Sequence, residues 1–133
     1  MKQFLRQPPV LLVCRIALAF SWIYQGAIPK VVCKSPGEVN LIAPIAPAYR
    51  IACTLITWMG YGEIVFGLVL LFAGAWAFGF NIAVLLALLG WVAVVDPSMF
   101  TLPFNPLTLN VSLTALSLVA LYELKRPGPD GPR

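Results

Sequence analysis

Residues 76–95 carry no charged side chain at all. A hydrocarbon core about 30 Å thick needs roughly 20 apolar residues in helical form. Three further windows approach that requirement, at residues 10–28, 51–72 and 106–122, the last slightly short. Lipid offers no partner for backbone amides, so a crossing segment must satisfy its own hydrogen bonds. These runs are also too long and continuous for barrel strands. The expected fold is therefore all-α: an integral membrane bundle of four transmembrane helices. One domain over residues 1–126 is expected, followed by a Pro/Gly-rich tail at 127–133 that is expected to be disordered.

Composition supports this medium. Sixty per cent of residues are hydrophobic and 11 % are charged, against about 45–50 % and about 25 % in an average soluble domain. A soluble fold of 133 residues could not hide that surplus. The net charge of +4 does not point to nucleic acid, because the basic residues stand singly or in pairs beside apolar runs, where lipid headgroups lie. There is no histidine, hence no ordinary neutral-pH proton shuttle. Cys14, Cys33 and Cys53 form no CxxC pair, so no metal site is expected. Lys2 and Arg6 before an apolar run imitate a signal peptide. Arg15 interrupts that run and no small-x-small site follows, so a retained first helix is expected.

The boundaries carry physical signals. Asn105 suits the cap of the fourth helix, with Pro106 at its first position. Pro97, beside Asp96, ends the third. The tight turn at Gly74 and Ala75 makes the second and third helices antiparallel neighbours. In the long connection between the first and second helices, Ser35-Pro36-Gly37-Glu38 fits a capping box, and a short helix on the membrane surface is expected there. With four spans both termini share one side. Lys2, Arg6, Lys125, Arg126 and Arg133 against Lys30, Lys34 and Arg50 place that side in the cytoplasm. Cys33 and Cys53 then face outward, either bridged by a disulfide or as two unpaired thiols near helix ends.

Ionisable groups inside a membrane cost at least ~2.5–3.5 kcal/mol, so they face the bundle interior and pair. Arg15 and Glu63 are such groups. A pairing of the two, or a shared polar network, is expected; snorkelling of Arg15 to the headgroups is the alternative. Glu63 is too short to snorkel and must pair, stay protonated or face a polar cavity. Gly60, Gly67 and Gly74 share a face with Glu63 and, with Gly26 on the first helix, are expected to let helices pack closely. Arg15, Trp22, Gly26 and Lys30 fall on one face of the first helix, with Gln25 at its edge. Asn110, one turn into the fourth helix, is expected to make an interhelical hydrogen bond. No nucleophile–base pair or phosphate loop is visible.

The segment from Arg15 through Trp22, Tyr24, Gln25 and Gly26 to Pro29-Lys30 resembles the opening of the DoxX-like family. Gly60-x-x-Glu63-x-x-x-Gly67-Leu68 is similar to its second-helix motif, and Pro103-Phe104-Asn105-Pro106-Leu107-Thr108-Leu109-Asn110 to the start of its fourth helix. Gln25 departs from the acidic residue or histidine that many relatives carry. The resemblance implies a small four-helix protein of the bacterial inner membrane. The wider superfamily includes the membrane subunit of thiosulfate:quinone oxidoreductase and partners in thiol-redox complexes. The expected function is thus a membrane subunit of a redox system, binding a quinone-like or other lipophilic molecule in a polar centre formed by Arg15, Trp22, Gln25, Lys30, Glu63 and Asn110. The alternative is a non-catalytic anchor or partner of another enzyme. Expected partners are the lipid bilayer, a redox enzyme and further copies of the chain.

Overall fold

The structure is a computed structural model and describes residues 7–32 and 35–126. The first helix, α1 (Pro9–Gln25), runs on without a break into a π-helix, Gly26–Val32. A short helix α2 (Pro36–Ile42) follows, then α3 (Tyr49–Phe72), α4 (Ala75–Val95), a 3₁₀ turn at Pro97–Thr101, and α5 (Pro106–Lys125). α1 with its π-helical end, α3, α4 and α5 are the four segments long and apolar enough to cross a membrane. At ~1.5 Å per residue the 20-residue α5 is about 30 Å long, so the fourth span is not short. Cys33, Lys34, the chain ends, the tail at 127–133 and any Cys33–Cys53 bridge lie outside the described residues.

The molecule is apolar on the outside, and several polar side chains are buried inside its apolar core. Phe20, Trp58, Phe72 and Val94 are each at least 66 % exposed, whereas Asn81 and Ser117 are fully buried. Only lipid makes that distribution favourable.

α1 is the central packing partner. It lies against α3 on one side and α5 on the other, and α4 packs on α5. α3 and α4 reverse direction through a two-residue link but touch only sparsely. They are antiparallel as expected, yet the tight turn does not make them a packed pair. Trp22, Phe66 and Phe80 fill the gap near the link, with edge-on ring contacts at 5.2 and 5.6 Å between centroids. Further along, the gap stays open.

The α1–α3 seam is set by glycine. A Cβ on Gly26 would run into the Gly60 carbonyl oxygen, and one on Gly60 would lie 2.7 Å from the Gly26 carbonyl oxygen. A Cβ on Gly67 would sit 2.9 Å from the Ala19 carbonyl oxygen. Only hydrogen fits at these positions. Gly74 does not belong to the seam: it precedes the first residue of α4, beyond the end of α3.

Helix ends follow local chemistry. Asn105 Oδ1 accepts the Thr108 N–H at 2.9 Å, capping α5 ahead of Pro106. Ser35 does precede α2, but its side chain makes no capping bond. The capping box does not form, and Glu38 turns toward Lys30 instead. Pro29 accounts for the π-helix: it lacks an N–H and its ring crowds the preceding turn, and a wider turn relieves both.

Candidate functional site

The π-helix turns Lys30 inward. Lys30 is 7 % exposed, although it lies beyond the expected end of the first span. Its ammonium donates to Glu63 Oε1 and stands 3.7 Å from Glu38 Oε2. Three elements thus converge on one cation: α1 through its π-helical end, α2 and α3. Glu63 is 9 % exposed, and its Oε2 has no partner among the described residues.

The expected pairing of Arg15 with Glu63 does not occur. Because α3 runs antiparallel to α1, Arg15 comes level with the last turn of α3. Its Nη1 donates to the Leu70 carbonyl at 2.8 Å, and its guanidinium lies 5.1 Å from the centre of the Phe78 ring. Leu70 is among the final residues of α3, whose carbonyls lack intrahelical partners and carry the negative end of the helix dipole. Glu63 is seven residues earlier, about 10 Å away at ~1.5 Å per residue. Arg15 does not snorkel either, being only 3 % exposed.

A hydrogen-bonded relay crosses the middle of the bundle. Trp22 Nε1 donates to Asn81 Oδ1 at 2.7 Å, Asn81 Nδ2 donates to Ser117 Oγ at 2.7 Å, and Ser117 Oγ donates to the Leu113 carbonyl at 2.9 Å. It ties α1, α4 and α5 together. Asn81 and Ser117 were not among the residues expected at the centre. The available signal was one amide in an otherwise uncharged span, which has to find a partner in lipid.

A cavity of about 930 Å³ opens where α3 and α4 stay apart, at the end of the bundle away from the described chain ends. Trp22, Gln25, Lys30, Glu38, Glu63 and Asn110 supply polar wall. Leu41 and Ile42 of α2, Leu85, Leu88 and Trp91 of α4, and Leu109 and Leu113 of α5 supply apolar wall. Of the residues expected at a polar centre, the structure brings together Trp22, Gln25, Lys30, Glu63 and Asn110 and leaves Arg15 outside. Asn110 makes no interhelical hydrogen bond among the described residues; it is buried against the cavity instead.

No group of three or more His, Cys, Asp or Glu side chains that could hold a metal ion occurs among the described residues. The sequence matches the DoxX-like family over residues 19–118. The chain belongs to the DoxX-like family. No curated protein and no solved structure matches it. In this DoxX-like chain the matched stretch contains Trp22, Lys30, Glu63, Asn81, Asn110 and Ser117, hence both the cavity and the relay. Arg15 lies before it.

Proposed function

We propose that this DoxX-like protein is a membrane subunit of a redox system and binds a quinone-like or other lipophilic small molecule in the cavity between α1, α3, α4 and α5. One observation carries the reading: a mainly apolar cavity of about 930 Å³ with an ion pair, Lys30–Glu63, buried in its wall. Ligand sites are commonly about 300–1,000 Å³, apolar with a few convergent polar groups. A molecule with a long apolar body and a polar head can enter from the bilayer and leave its body in contact with lipid. Trp22 offers a flat face for stacking, and the amides of Gln25 and Asn110 offer both donors and acceptors. We place the protein in the bacterial inner membrane with both termini cytoplasmic, on the charge balance of the flanking residues. The cavity then opens toward the outer half of the bilayer.

The test is purification in mild detergent followed by extraction and mass analysis of bound lipids, together with titration of added quinone. Recovery of a quinone-like molecule, or saturable binding of an added one, is expected. Failure of both removes the reading.

The second reading, a non-catalytic partner of another enzyme, is favoured by the relay from Trp22 to Ser117, which has the form of a packing device. A pull-down from native membranes separates the two. A stoichiometric protein partner, with no small molecule bound, favours the anchor.

A further inference from the structure

Most side-chain donors in the wall of the cavity are already given to protein acceptors. The Trp22 indole N–H is given to Asn81 Oδ1 at 2.7 Å and that of Trp91 to the Leu41 carbonyl at 3.0 Å. The hydroxyls of Ser21, Thr108 and Ser112 donate to the carbonyls of Ala17, Asn105 and Thr108 at 2.9, 3.1 and 2.8 Å. Asn105 Nδ2 donates to the Leu102 carbonyl at 3.1 Å. Among the described residues Lys30 is the one cation of the wall, and it is engaged by Glu63 and shared with Glu38.

Acceptors are in surplus. Glu63 Oε2 receives nothing among the described residues, and Glu38 holds its share of Lys30 only at 3.7 Å. The torsion that carries a carboxylate is soft, so either Glu63 oxygen can be turned to the cavity face. The Gln25 and Asn110 amides bring donors and acceptors alike, and the Lys30 ammonium has a third N–H, so the surplus of acceptors is local to the Glu63 and Glu38 carboxylates.

We propose that the cavity selects a ligand that brings its own donor: an apolar body ending in a hydroxyl or ammonium group, received by the Glu63 carboxylate. The proposal rests on the reading of the cavity as a site for a lipophile and deepens it. For a quinone-like couple, the dihydroxy form is held more tightly than the dicarbonyl form. A carbonyl placed against Glu63 meets a second acceptor and leaves both unsatisfied, whereas a hydroxyl completes the carboxylate.

The test uses the full chain in lipid nanodiscs, with empty discs as the blank. The probes are a short-chain benzoquinol kept reduced without oxygen, the matching benzoquinone, the dimethyl ether of the quinol, and a primary alkylamine of similar hydrophobicity. Binding is read by equilibrium dialysis. The quinol is expected to bind about tenfold or more tightly than the quinone or the ether, since a hydrogen bond to a charged group is worth about that much. Glu63→Gln, which adds donors, is expected to shrink the preference to less than about threefold. Should that variant not fold, the wild-type ranking decides, with Glu38→Gln at the cavity wall expected to reduce the preference in part. An alkylamine that binds as well as the quinol supports the donor rule and makes ammonium one of its sources. A quinone or ether that binds as tightly as the quinol overturns the proposal while leaving the lipophile reading intact. If no probe binds, both are lost.

Discussion

Arg15 and Lys30 lie on the same face of the first span, 3 % and 7 % exposed, and their surroundings differ. Arg15 sits in close-packed surroundings. It meets a helix-end carbonyl and an aromatic ring, with no carboxylate within ion-pairing distance among the described residues. Lys30 sits on a π-helix between two carboxylates and beside a cavity. The guanidinium is weakly hydrated and planar, so it tolerates burial against a carbonyl and a ring, although its Nε has no partner among the described residues. The ammonium is a compact, strongly hydrated charge and needs anions once water is removed. The first arrangement closes an end of the bundle. The second lies at the open end, beside the cavity, with acceptors left over.

The comparison predicts unequal costs. Lys30→Met leaves the Glu63 carboxylate buried and unpaired and is expected to destabilise the protein by about 3–5 kcal/mol. Equilibrium unfolding in mild detergent measures this. Adding Glu63→Leu to Lys30→Met removes the stranded charge and is expected to restore at least about 2 kcal/mol of that loss. A double variant no more stable than Lys30→Met alone would break the contrast, because Lys30 would then matter through packing and not through Glu63.

Between these two ends the seam is neutral and purely steric. Gly67→Leu would place a Cβ 2.8 Å from Ile23 Cγ1 and 2.9 Å from the Ala19 carbonyl oxygen. Overpacking of that kind costs about 1–3 kcal/mol, and backbone on the opposing face leaves little room to yield. Gly79→Leu on α4, where a Cβ meets nothing within 4 Å, is the control and is expected to leave the unfolding midpoint unchanged. Equal losses at the two glycines would mean that the seam is looser than its distances.

How much of this was legible in the sequence depends on which residue is asked. The four spans were readable because lipid leaves the backbone one solution, and Gly60, Gly67 and Gly26 because helical spacing puts small residues on one face. Asn105 was readable as a cap because its partner is three residues away. The Lys30–Glu63 pair was not. Helical spacing puts Lys30 on the inner face and both residues in the polar centre, but their pairing depends on a span that runs on as a π-helix to Val32 instead of ending at residue 28. Arg15 was misassigned because charge matching ignores the unpaired carbonyls at a helix end. The Asn81–Ser117 bond is hidden because the two residues stand 36 positions apart in the chain and nothing local links them. The cavity follows from the sparse α3–α4 contact, which a two-residue link does not reveal.

Arg15→Met sharpens the contrast from its other side. The change forfeits a charge-assisted bond to the Leu70 carbonyl, worth about 1.5–3 kcal/mol. It also removes a buried charge whose insertion cost is at least ~2.5–3.5 kcal/mol. The two nearly cancel, and a net change of no more than about 1 kcal/mol, in either direction, is expected in the same unfolding assay. Ligand binding in the cavity is expected to be unaltered. A loss as large as that of Lys30→Met would show that Arg15 neutralises an anion, and the two ends would no longer differ in kind.

A similarly small effect is expected at the relay, which lies between the two ends and carries no charge. Asn81→Leu removes two hydrogen bonds at 2.7 Å, one accepted from Trp22 and one donated to Ser117. Ser117 keeps its bond to the Leu113 carbonyl, so its hydroxyl proton stays satisfied. Trp22 alone is left with an unpaired N–H, and it borders the cavity. Interhelical hydrogen bonds in membranes average about 0.6 kcal/mol and reach about 1.7, so a loss of about 1 kcal/mol is expected. Ser117→Ala added to Asn81→Leu is expected to cost less than Ser117→Ala alone, because the bond it would break is already gone. Strict additivity in that double-mutant cycle would mean that Asn81 and Ser117 act separately, and that α4 and α5 are held together by apolar packing alone.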